Sequence, residues 1–431
     1  MRMNTHPEQG FPRDLDVDFI RAQYPVFNRP ESARWAMFEN AGGSYVPRQV
    51  IDRLQHFFTW TKVQPYGGFE SSIQAGEAMD AGYRAMADLL NCAEDELTLG
   101  PSTSLNCYVL AQAVRPLLKP GDEIVVTNQD HEANIGCWRR LAEFGVVVRE
   151  WRIDPRTGEL SIEDLDRLLS QRTRLVCFTL CSNIVGTMND CALICEKAHQ
   201  AGAWAVGDGV SFAPHQVLDV NVSGLDLYLF STYKTFGPHV GVMWGRRSVL
   251  DALQPQGHYF NSALPHYRFN PAGPQHAEIA ALAGIGEYIQ AVDEHHFENP
   301  EPDAHSRAAR VFDLFAAHET VQANRILSAI QSIPGARIMG QKEAQAGRRA
   351  ATIAFTLQGV PSGDAVSQLI RKEIGVRNGH FYALRCLEGL GIDDPKDGII
   401  RISLVHYNSE DEVSRLVKAL EGFFSRGRRT V

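Results

Sequence analysis

Residues 225–238 read Leu225-Asp226-Leu227-Tyr228-Leu229-Phe230-Ser231-Thr232-Tyr233-Lys234-Thr235-Phe236-Gly237-Pro238. This stretch is an apolar run that ends in hydroxyl residues, one lysine and a Gly-Pro pair that interrupts regular structure. An earlier apolar run over residues 203–208 ends in a single aspartate, Asp208. Buried parallel strands have such continuous apolar sequences, and functional residues follow their carboxyl ends. We therefore expect Lys234 and Asp208 to lie together at one edge of a buried parallel sheet.

A lysine and an aspartate in this arrangement provide two groups that pyridoxal 5′-phosphate (PLP) requires. The lysine amine bonds to the cofactor aldehyde, and the carboxylate keeps the pyridine nitrogen protonated so that the ring withdraws electrons. A lone Lys-Thr pair after a strand is more often part of an ordinary exposed loop. The assignment therefore depends on the other candidate residues of the chain.

The composition is that of an ordinary globular protein. The chain has 431 residues, of which 44% are hydrophobic and 22% charged, and its net charge is −9. This length predicts two or three structural units, and the acidic balance argues against a nucleic-acid-binding surface. No apolar run is long enough to cross a membrane, and the first residues lack the apolar core of a signal peptide. We therefore expect a cytoplasmic protein that binds neither nucleic acid nor membrane.

The cysteines are scattered along the chain and lie mostly inside apolar runs. Their eight positions are 92, 107, 137, 177, 181, 191, 195 and 386. No Cys-x-x-Cys pair or matching histidine cluster completes a zinc site. We therefore expect buried reduced thiols and no metal site.

Between residues 121 and 245, candidate strands and helices alternate along the chain. The candidate strands cover residues 123–126, 146–151, 174–180, 203–208, 225–231 and 240–245. This alternation predicts an α/β fold with a large doubly wound, mostly parallel sheet. A long helix over residues 304–333, two strands at 350–355 and 399–404, and a closing helix at 411–424 then predict a smaller α+β C-terminal domain.

The predicted domain boundaries follow from this change of pattern. We expect residues 1–34 to form an N-terminal arm and helix that pack with the small domain, the first 15 residues being a flexible lead. Residues 35–290 are predicted to form the large PLP-binding domain, and residues 291–431 the small C-terminal domain. The basic segment 426–429 is expected to be a solvated terminus.

Two turns rich in small residues are candidate ligand contacts. Ser102, Thr103 and Ser104 precede a helical pattern, and hydroxyl and N–H groups at a helix N-terminus bind anions. A helix N-cap alone would explain Ser102 and Thr103 equally well. Asn40 begins a second turn, which contains two glycines that would let the backbone approach a ligand closely. An ordinary turn explains this second pattern equally well.

The candidate residues stand in a characteristic order. A hydroxyl-rich loop is followed by His131, by Asn183 shortly before a Gly-Thr pair, by Asp208, and by the Ser-x-x-Lys pattern of residues 231–234. With this order the chain resembles the class V aminotransferase group of fold-type I PLP-dependent enzymes, and especially the cysteine desulfurases. The resemblance extends from about Phe38 to the end of the chain. It implies a PLP enzyme that acts on an amino acid and forms a homodimer with its site at the interface.

The resemblance also implies roles around the cofactor. Lys234 matches the lysine that bonds to PLP, and Asp208 matches the partner of the ring nitrogen. His131 matches the histidine that stacks on the ring and could move protons, and Asn183 matches the residue near the phenolic oxygen. The other cofactor contacts implied are Thr103, Ser104, Ser211, Ser231, Tyr233 and Gly273. Ser211 replaces a glutamine of the family, and Gly273 lies where a threonine is lent across the dimer interface.

A second set of residues is implied in substrate binding. Arg401 matches the arginine that binds the substrate α-carboxylate, a role that suits a guanidinium because it binds carboxylates through two parallel hydrogen bonds. A charge on a strand edge that pairs with a neighbour is the simpler alternative for Arg401. Arg377 matches a second active-site arginine. The remaining substrate candidates are Asn40, His380 and Tyr382.

One departure from the family bears on the reaction. Cysteine desulfurases carry a catalytic cysteine shortly after the Arg-x-Gly-His pattern, where this chain has Tyr382, and tyrosine cannot accept a sulfane sulfur. The nearest thiol, Cys386, is four residues further along. We therefore expect loss of a β-substituent, as in a C–S lyase that forms no protein persulfide. The alternatives are a class V aminotransferase or epimerase, and a non-catalytic desulfurase-like binding protein.

Overall fold

The computed structural model describes residues 14–422. Most of the predicted flexible lead and the whole basic segment 426–429 therefore lie outside the described residues. None of the helices within this range is both long and apolar enough to cross a membrane.

The strands and helices are numbered separately in chain order. The strands are β1 (Ala36–Met37), β2 (Leu97–Gly100), β3 (Glu123–Thr127), β4 (Val147–Trp151), β5 (Thr173–Thr179), β6 (Trp204–Asp208), β7 (Leu227–Ser231), β8 (Gly241–Gly245), β9 (Ala336–Met339), β10 (Thr352–Leu357), β11 (Ile374–Gly375), β12 (Arg377–Gly379) and β13 (Ile399–Ser403). The helices are α1 (Val17–Ala22), α2 (Pro30–Ala33), α3 (Arg48–Trp60), α4 (Glu70–Leu90), α5 (Thr103–Val114), α6 (Glu132–Arg139), α7 (Ile162–Leu168), α8 (Cys191–Gln200), α9 (Arg247–Ala252), α10 (Pro265–Arg268), α11 (His276–Ala281), α12 (Ala283–His296), α13 (Ala304–Gln331), α14 (Ser362–Ile370), α15 (Leu384–Gly389) and α16 (Glu410–Glu421).

A seven-stranded sheet forms the centre of the large domain, with the strand order β2-β8-β7-β6-β5-β3-β4. The pairs β7–β6, β6–β5, β5–β3 and β3–β4 are parallel, whereas β8 is antiparallel to both of its neighbours. The mostly parallel sheet predicted from the apolar runs is therefore confirmed.

Successive side chains of these strands enter two different cores, because strand side chains alternate between the faces of a sheet. Val125 and Phe230 pack on one face together with residues of α4, α12 and α13. Val126 and Leu229, the next or preceding residues, pack on the other face with residues of α5 and α6. Helices therefore cover both faces of the sheet, and the doubly wound architecture is confirmed.

The smaller domain has an antiparallel sheet with the strand order β12-β13-β10-β9. Ile353 and Ile400 of this sheet pack in one core with Ile330 of α13, Leu369 of α14 and Leu416 of α16. The expected α+β C-terminal domain is confirmed. Strand β13 of this sheet also carries Arg401, whose backbone pairs with β10 and β12.

Residues before position 40 contact the C-terminal part of the chain. Strand β1 pairs in parallel with β11, and Phe38 is buried in the core of the smaller domain. On α1, Arg21 Nη1 donates hydrogen bonds to Tyr407 O at 3.0 Å and to Glu412 Oε1 at 3.1 Å. The division at residues 34 and 290 stays a prediction, and these contacts show which residues an N-terminal arm would use.

Two helices that the sequence analysis does not predict, α11 and α12, lie in the segment 252–300. Helix α11 has six residues, four of which are alanine or isoleucine, and it shows no polar face. Helix α12, in contrast, exposes Glu287, Gln290 and Glu294 along one side, as an amphipathic helix does. Gly82 of α4 allows a very close approach, because a Cβ there would lie 1.9 Å from Ile279 O of α11. Burial against α3 and α4 therefore determines α11, whereas the sequence of α12 carries the periodic pattern of a helix.

Gly241 provides a test of how the sheet positions the start of α5. A Cβ at Gly241 would lie 2.3 Å from Ser102 C and 2.4 Å from Thr103 N. We expect Gly241→Ala to lower the free energy of unfolding by about 1–3 kcal/mol, since overpacking forces the backbone to move. Chemical denaturation monitored by circular dichroism measures the change. The matched control is Gly68→Ala, because a Cβ at Gly68 would meet no atom within 4 Å; equal destabilisation by both variants would contradict the explanation.

Candidate active site

The carboxyl ends of β6 and β7 bring Asp208 and Lys234 into one cavity, as the sequence predicted. This inner cavity has a volume of about 80 Å³ and is continuous with an outer cavity of about 790 Å³, since Lys234, His131 and Asn183 line both. Burial lowers the pKa of Lys234 to about 8, and the nearby Arg401 charge acts in the same direction. Among residues 14–422, no acceptor lies within hydrogen-bonding distance of Lys234 Nζ. The site therefore holds a buried amine that is free to react.

Asp208 faces the same cavity from the end of β6. Its Oδ1 accepts a hydrogen bond from Val210 N at 2.8 Å, which fixes the carboxyl group. Burial raises the pKa of Asp208 to about 6, while Val210 N and the Lys234 charge oppose that shift. A carboxylate at this depth is stabilised by a cationic partner, which a protonated ring nitrogen would supply.

His131 lies at the N-terminus of α6 and lines both cavities. Its Nδ1 accepts a hydrogen bond from Ala133 N at 3.1 Å, so the neutral ring carries its proton on Nε2. Burial lowers the pKa of His131 to about 3, with contributions from the charges of Lys234 and Arg401. The neutral imidazole is therefore suited to stack against an aromatic ring.

The turn that carries His131 is fixed by a buried carboxyl group that the sequence did not single out. Asp130 Oδ1 accepts a hydrogen bond from Asn134 Nδ2 at 2.7 Å, and Thr127 Oγ1 donates to the other carboxyl oxygen. Burial raises the pKa of Asp130 to about 7. These contacts hold the connection between β3 and α6 in one conformation.

The hydroxyl-rich loop enters the inner cavity at the N-terminus of α5. Ser102 is the N-cap, because its hydroxyl accepts from Leu105 N at 3.2 Å, and Thr103 Oγ1 donates to Phe230 O at 2.7 Å. Ser231 Oγ lies 2.7 Å from Thr103 Oγ1, which joins the loop to the end of β7. The cavity lining at this end comprises Ser102, Thr103, Ser104, Ser211, Ser231, Tyr233 and His239. Hydroxyl groups and a helix N-terminus therefore face the same space, as an anion requires.

A loop of the smaller domain covers the cavity, anchored by two hydrogen bonds from the large domain. Asn183 Nδ2 donates to Phe381 O at 3.0 Å, and Glu132 N donates to Tyr382 O at 2.8 Å. Phe381 and Tyr382 have φ angles of +48° and +58°. Such left-handed conformations cost free energy in residues other than glycine, so the anchoring contacts must hold the loop in place.

Arg401 is buried beneath this loop and pairs with Glu39, a residue that the sequence analysis did not select. Arg401 Nη2 donates to Glu39 Oε1 at 2.9 Å, and Nη1 donates to Asn183 O at 3.2 Å. The guanidinium also lies 3.7 Å from the centre of the Phe381 ring. Arg401 Nε, Glu39 Oε2 and Asn183 Oδ1 are buried without a hydrogen-bond partner in the described chain. The arginine is therefore held in place and keeps an unused donor.

The remaining predicted substrate residues occupy different environments. Arg377, His380 and Tyr382 line the outer cavity, and the Arg377 side chain, 70% exposed, has its Nη1 4.0 Å from Glu39 Oε1. Asn40 does not line either cavity, because its amide group is fully used in buried hydrogen bonds. Its partners are Met37 O, Ser403 O, Asn408 Oδ1 and the Tyr407 hydroxyl.

Gly273 also lies away from the residues that line the two cavities. Its surroundings are open, since a Cβ there would meet no atom within 4 Å. Its implied contact across a dimer interface stays a prediction. Of the predicted residues, the structure therefore brings together all except Asn40 and Gly273, and it adds Glu39 and His239 to the cavity lining.

None of the cysteines in residues 14–422 lines either cavity. Cys386, which follows the covering loop, is completely buried, and burial raises the pKa of its thiol to about 12. Tyr382 instead lies at the mouth of the outer cavity with 70% of its surface exposed. No thiolate is therefore available at the described site.

The residues present fit PLP. A buried amine stands ready to bond to an aldehyde, a fixed carboxyl group suits the ring nitrogen, and a helix N-terminus suits a phosphate. The buried Asn183 Oδ1 has no partner in residues 14–422, as a residue that contacts a ligand would. The donor set of this cavity therefore matches each polar part of the cofactor.

Comparisons with known proteins agree with this geometry. The chain matches the family model described as Aminotransferase class-V over residues 36–416. It is 33% identical over 419 residues to the aminotransferase-like protein FGM3 of Gibberella zeae, with 94% of this chain and 98% of the relative covered. It is 29% identical over 436 residues to a cysteine desulfurase of Dickeya dadantii, with 96% of this chain and 98% of the relative covered.

The fold is also that of a solved structure, the apo form of a cysteine desulfurase from Thermococcus onnurineus NA1. The TM-score is 0.81 at 21% sequence identity, and the superposition covers 95% of this chain and 98% of that one. The family match extends over most of the chain, and the site contains the groups that its cofactor requires. The chain therefore belongs to the class-V aminotransferase family and is a PLP-dependent enzyme.

Proposed function

We propose that this enzyme removes a sulfur-containing β-substituent from an amino acid and releases it without forming a protein persulfide. The observation that carries the proposal is the absence of a thiol from the cavity-lining residues of the described chain. Cys386 is buried and its pKa is raised to about 12, so it supplies no thiolate near neutral pH. A sulfur leaving group must then depart into the outer cavity.

The buried residues divide the work of such a reaction. PLP, when bound, withdraws electrons from the substrate α-carbon, and Asp208 supports this by holding the ring nitrogen protonated. Arg401 binds the substrate carboxylate, with Glu39 and Asn183 O fixing its orientation. Lys234 Nζ takes the α-proton, a role favoured by its lowered pKa of about 8, because more of the amine is neutral near pH 7 than at the ordinary pKa of lysine.

Departure of the β-substituent leaves it with the bonding electron pair, so it needs a proton. Tyr382 is placed to donate that proton, since it lines the outer cavity and its ring centre lies 5.4 Å from that of His131. His380 Nδ1 accepts a hydrogen bond from Tyr382 N at 3.1 Å and so supports the loop. We therefore assign Tyr382 to the leaving-group side of the site.

Incubation of the purified enzyme with a panel of amino acids tests the reaction class. With cysteine or another β-thio amino acid we expect sulfide or thiol, together with equal amounts of pyruvate and ammonia. Sulfide, pyruvate and ammonia balance cysteine plus one water. Pyruvate is quantified with lactate dehydrogenase, and sulfide by a colorimetric assay. Formation of alanine with elemental sulfur, a racemised amino acid, or a transaminated product instead of pyruvate would contradict elimination.

Two variants separate the role of the loop residues in that assay. Cys386→Ala should change kcat by less than about twofold, since the buried thiol takes no part. Tyr382→Phe should lower kcat by about tenfold or more, because general acids contribute about 10²–10⁴-fold, while leaving cofactor affinity unchanged. Loss of sulfide release in Cys386→Ala would restore a thiol-dependent mechanism. Unchanged turnover in Tyr382→Phe would remove the tyrosine from the chemistry.

The pH dependence of cofactor capture tests the state of Lys234. Only the neutral amine attacks an aldehyde, so the rate at which apoprotein captures PLP should rise with pH and level off above about pH 8, in line with its lowered pKa. Stopped-flow absorbance after mixing with PLP measures this rate. Lys234→Ala should show no covalent capture after borohydride reduction. A midpoint near 10.4, the ordinary value for lysine, would contradict the environment described.

We also propose a homodimer whose interface adjoins the site. Exposed aromatic and aliphatic side chains occur at Phe58, Trp60, Tyr66, Phe69, Tyr259, Phe260 and Leu264. Further exposed side chains, Leu105 and Tyr108, belong to α5, and Tyr108 lines the outer cavity. Exposed large apolar side chains such as these are the kind that an interface between subunits covers. Light scattering after size-exclusion chromatography should give about twice the 47.9 kDa chain mass, and a monomeric mass would contradict this assignment.

A further inference from the structure

The phosphate end of the inner cavity has few sources of positive charge. Among its described lining residues, the basic side chains are His131, Lys234 and His239. Lys234 serves the cofactor aldehyde, and His131 is a neutral ring whose Nδ1 already accepts from Ala133 N. A phosphate carries up to two negative charges, which the hydroxyl groups of the loop do not neutralise. The remaining basic side chain of this lining is His239, which neither the aldehyde nor the ring of the cofactor requires.

The position of His239 is fixed by two contacts beside the hydroxyl-rich loop. Its Nδ1 lies 3.1 Å from Pro101 O, and because a carbonyl oxygen only accepts, Nδ1 carries the proton in this bond. Pro101 immediately precedes the N-cap Ser102, so the imidazole lies against the start of α5. This leaves Nε2 on the other side of the ring, without a hydrogen-bond partner in residues 14–422.

The second contact is a stack on Tyr233. The ring centres of His239 and Tyr233 are 4.6 Å apart and the rings are parallel within 1°. Tyr233 is itself held, because its carbonyl oxygen accepts from Ser44 N at 3.1 Å. The imidazole is thus restrained in plane and in rotation, although it lies near the surface. Restraint of this kind reduces the entropy lost when a side chain binds a ligand.

From this arrangement we propose that His239 binds the cofactor phosphate through Nε2 and supplies the positive charge at that end of the site. With Nδ1 committed to Pro101 O, a proton on Nε2 gives an imidazolium that donates to a phosphate oxygen. The helix N-terminus of α5 and the hydroxyl groups of Ser104 and Ser231 complete the set. His239 is a binding residue for the phosphate and takes no part at the reacting carbon.

Comparison of PLP with pyridoxal, which has the same aldehyde and ring but no phosphate, isolates this contact. Equilibrium titration of the apoprotein, followed by absorbance, gives the dissociation constant of each compound. We expect His239→Ala to weaken PLP binding by about tenfold to a hundredfold, the usual effect of losing a charge-assisted hydrogen bond. Pyridoxal binding should stay within about twofold. The readout is cofactor binding alone, so it does not depend on the proposed elimination reaction.

Two further variants distinguish the contact from a structural role. His239→Asn places an amide nitrogen where Nδ1 lies, so it retains a donor for Pro101 O but lacks Nε2. His239→Gln places an amide near the position of Nε2 and so retains an uncharged donor toward the phosphate. We expect the asparagine variant to weaken PLP binding as much as His239→Ala does, and the glutamine variant to weaken it less.

A matched control is His56→Ala, since His56 is an exposed residue of α3 that lines neither cavity. It should bind PLP and pyridoxal as the unmodified enzyme does. Equal weakening of PLP and pyridoxal by His239→Asn would overturn the proposal in favour of a structural role for the histidine. Unchanged PLP binding in that variant would also overturn it, because the phosphate would then be held without His239.

Discussion

The burial of the Lys234 amine is the constraint on which the rest of the site depends. A lysine without a hydrogen-bond acceptor among the described residues is costly to keep charged away from water, so its pKa falls to about 8. That cost is sustained because Lys234 follows β7, whose side chains are packed on both faces of a seven-stranded sheet. The packed strand holds the Lys234 amine in the same cavity as Asp208, and none of the described residues accepts a hydrogen bond from it. A reactive nucleophile and proton acceptor is the chemical result.

A second constraint acts at the opposite wall of the cavity, where Arg401 is buried. Its charge is balanced by Glu39, which also lies 4.0 Å from Arg377. Gly42 leaves room for this carboxylate, because a Cβ there would lie 2.6 Å from Glu39 Oε1. The pairing stabilises the buried guanidinium. In the role proposed for Arg401, a substrate carboxylate would share the guanidinium with this carboxylate of the protein.

The covering loop joins these two walls. Asn183 and Glu132 hold the backbone of Phe381 and Tyr382, and Phe381 packs over Arg401. The loop therefore places an exposed tyrosine, rather than a thiol, above the reacting groups. In the reaction proposed above, this tyrosine rather than a thiol meets the leaving group. The cofactor could be predicted because the residues expected to hold it follow the family pattern. The reaction could not, because it depends on the residue at position 382, where this chain departs from that pattern.

The amino-acid sequence alone predicted the mostly parallel sheet and the smaller α+β domain, and it predicted that Lys234 and Asp208 follow two strands and lie in one cavity. It did so because continuous apolar runs that end in polar residues mark where buried strands deliver functional groups. Helix α11 was not accessible, since a short helix buried on nearly all sides lacks a polar face, whereas the exposed residues of α12 do mark one. The contacts of Glu39 and His239 were equally hidden, because their partners Arg401 and Pro101 are distant in the chain. Asp130 has its partners close in the chain, but its burial is decided by the tertiary structure. Asn40 shows the converse, since it was predicted to contact substrate, but it lines neither cavity and buried hydrogen bonds use its amide. Strand order and long-range contacts alone decided which polar residues face the cavity and which hold the scaffold together.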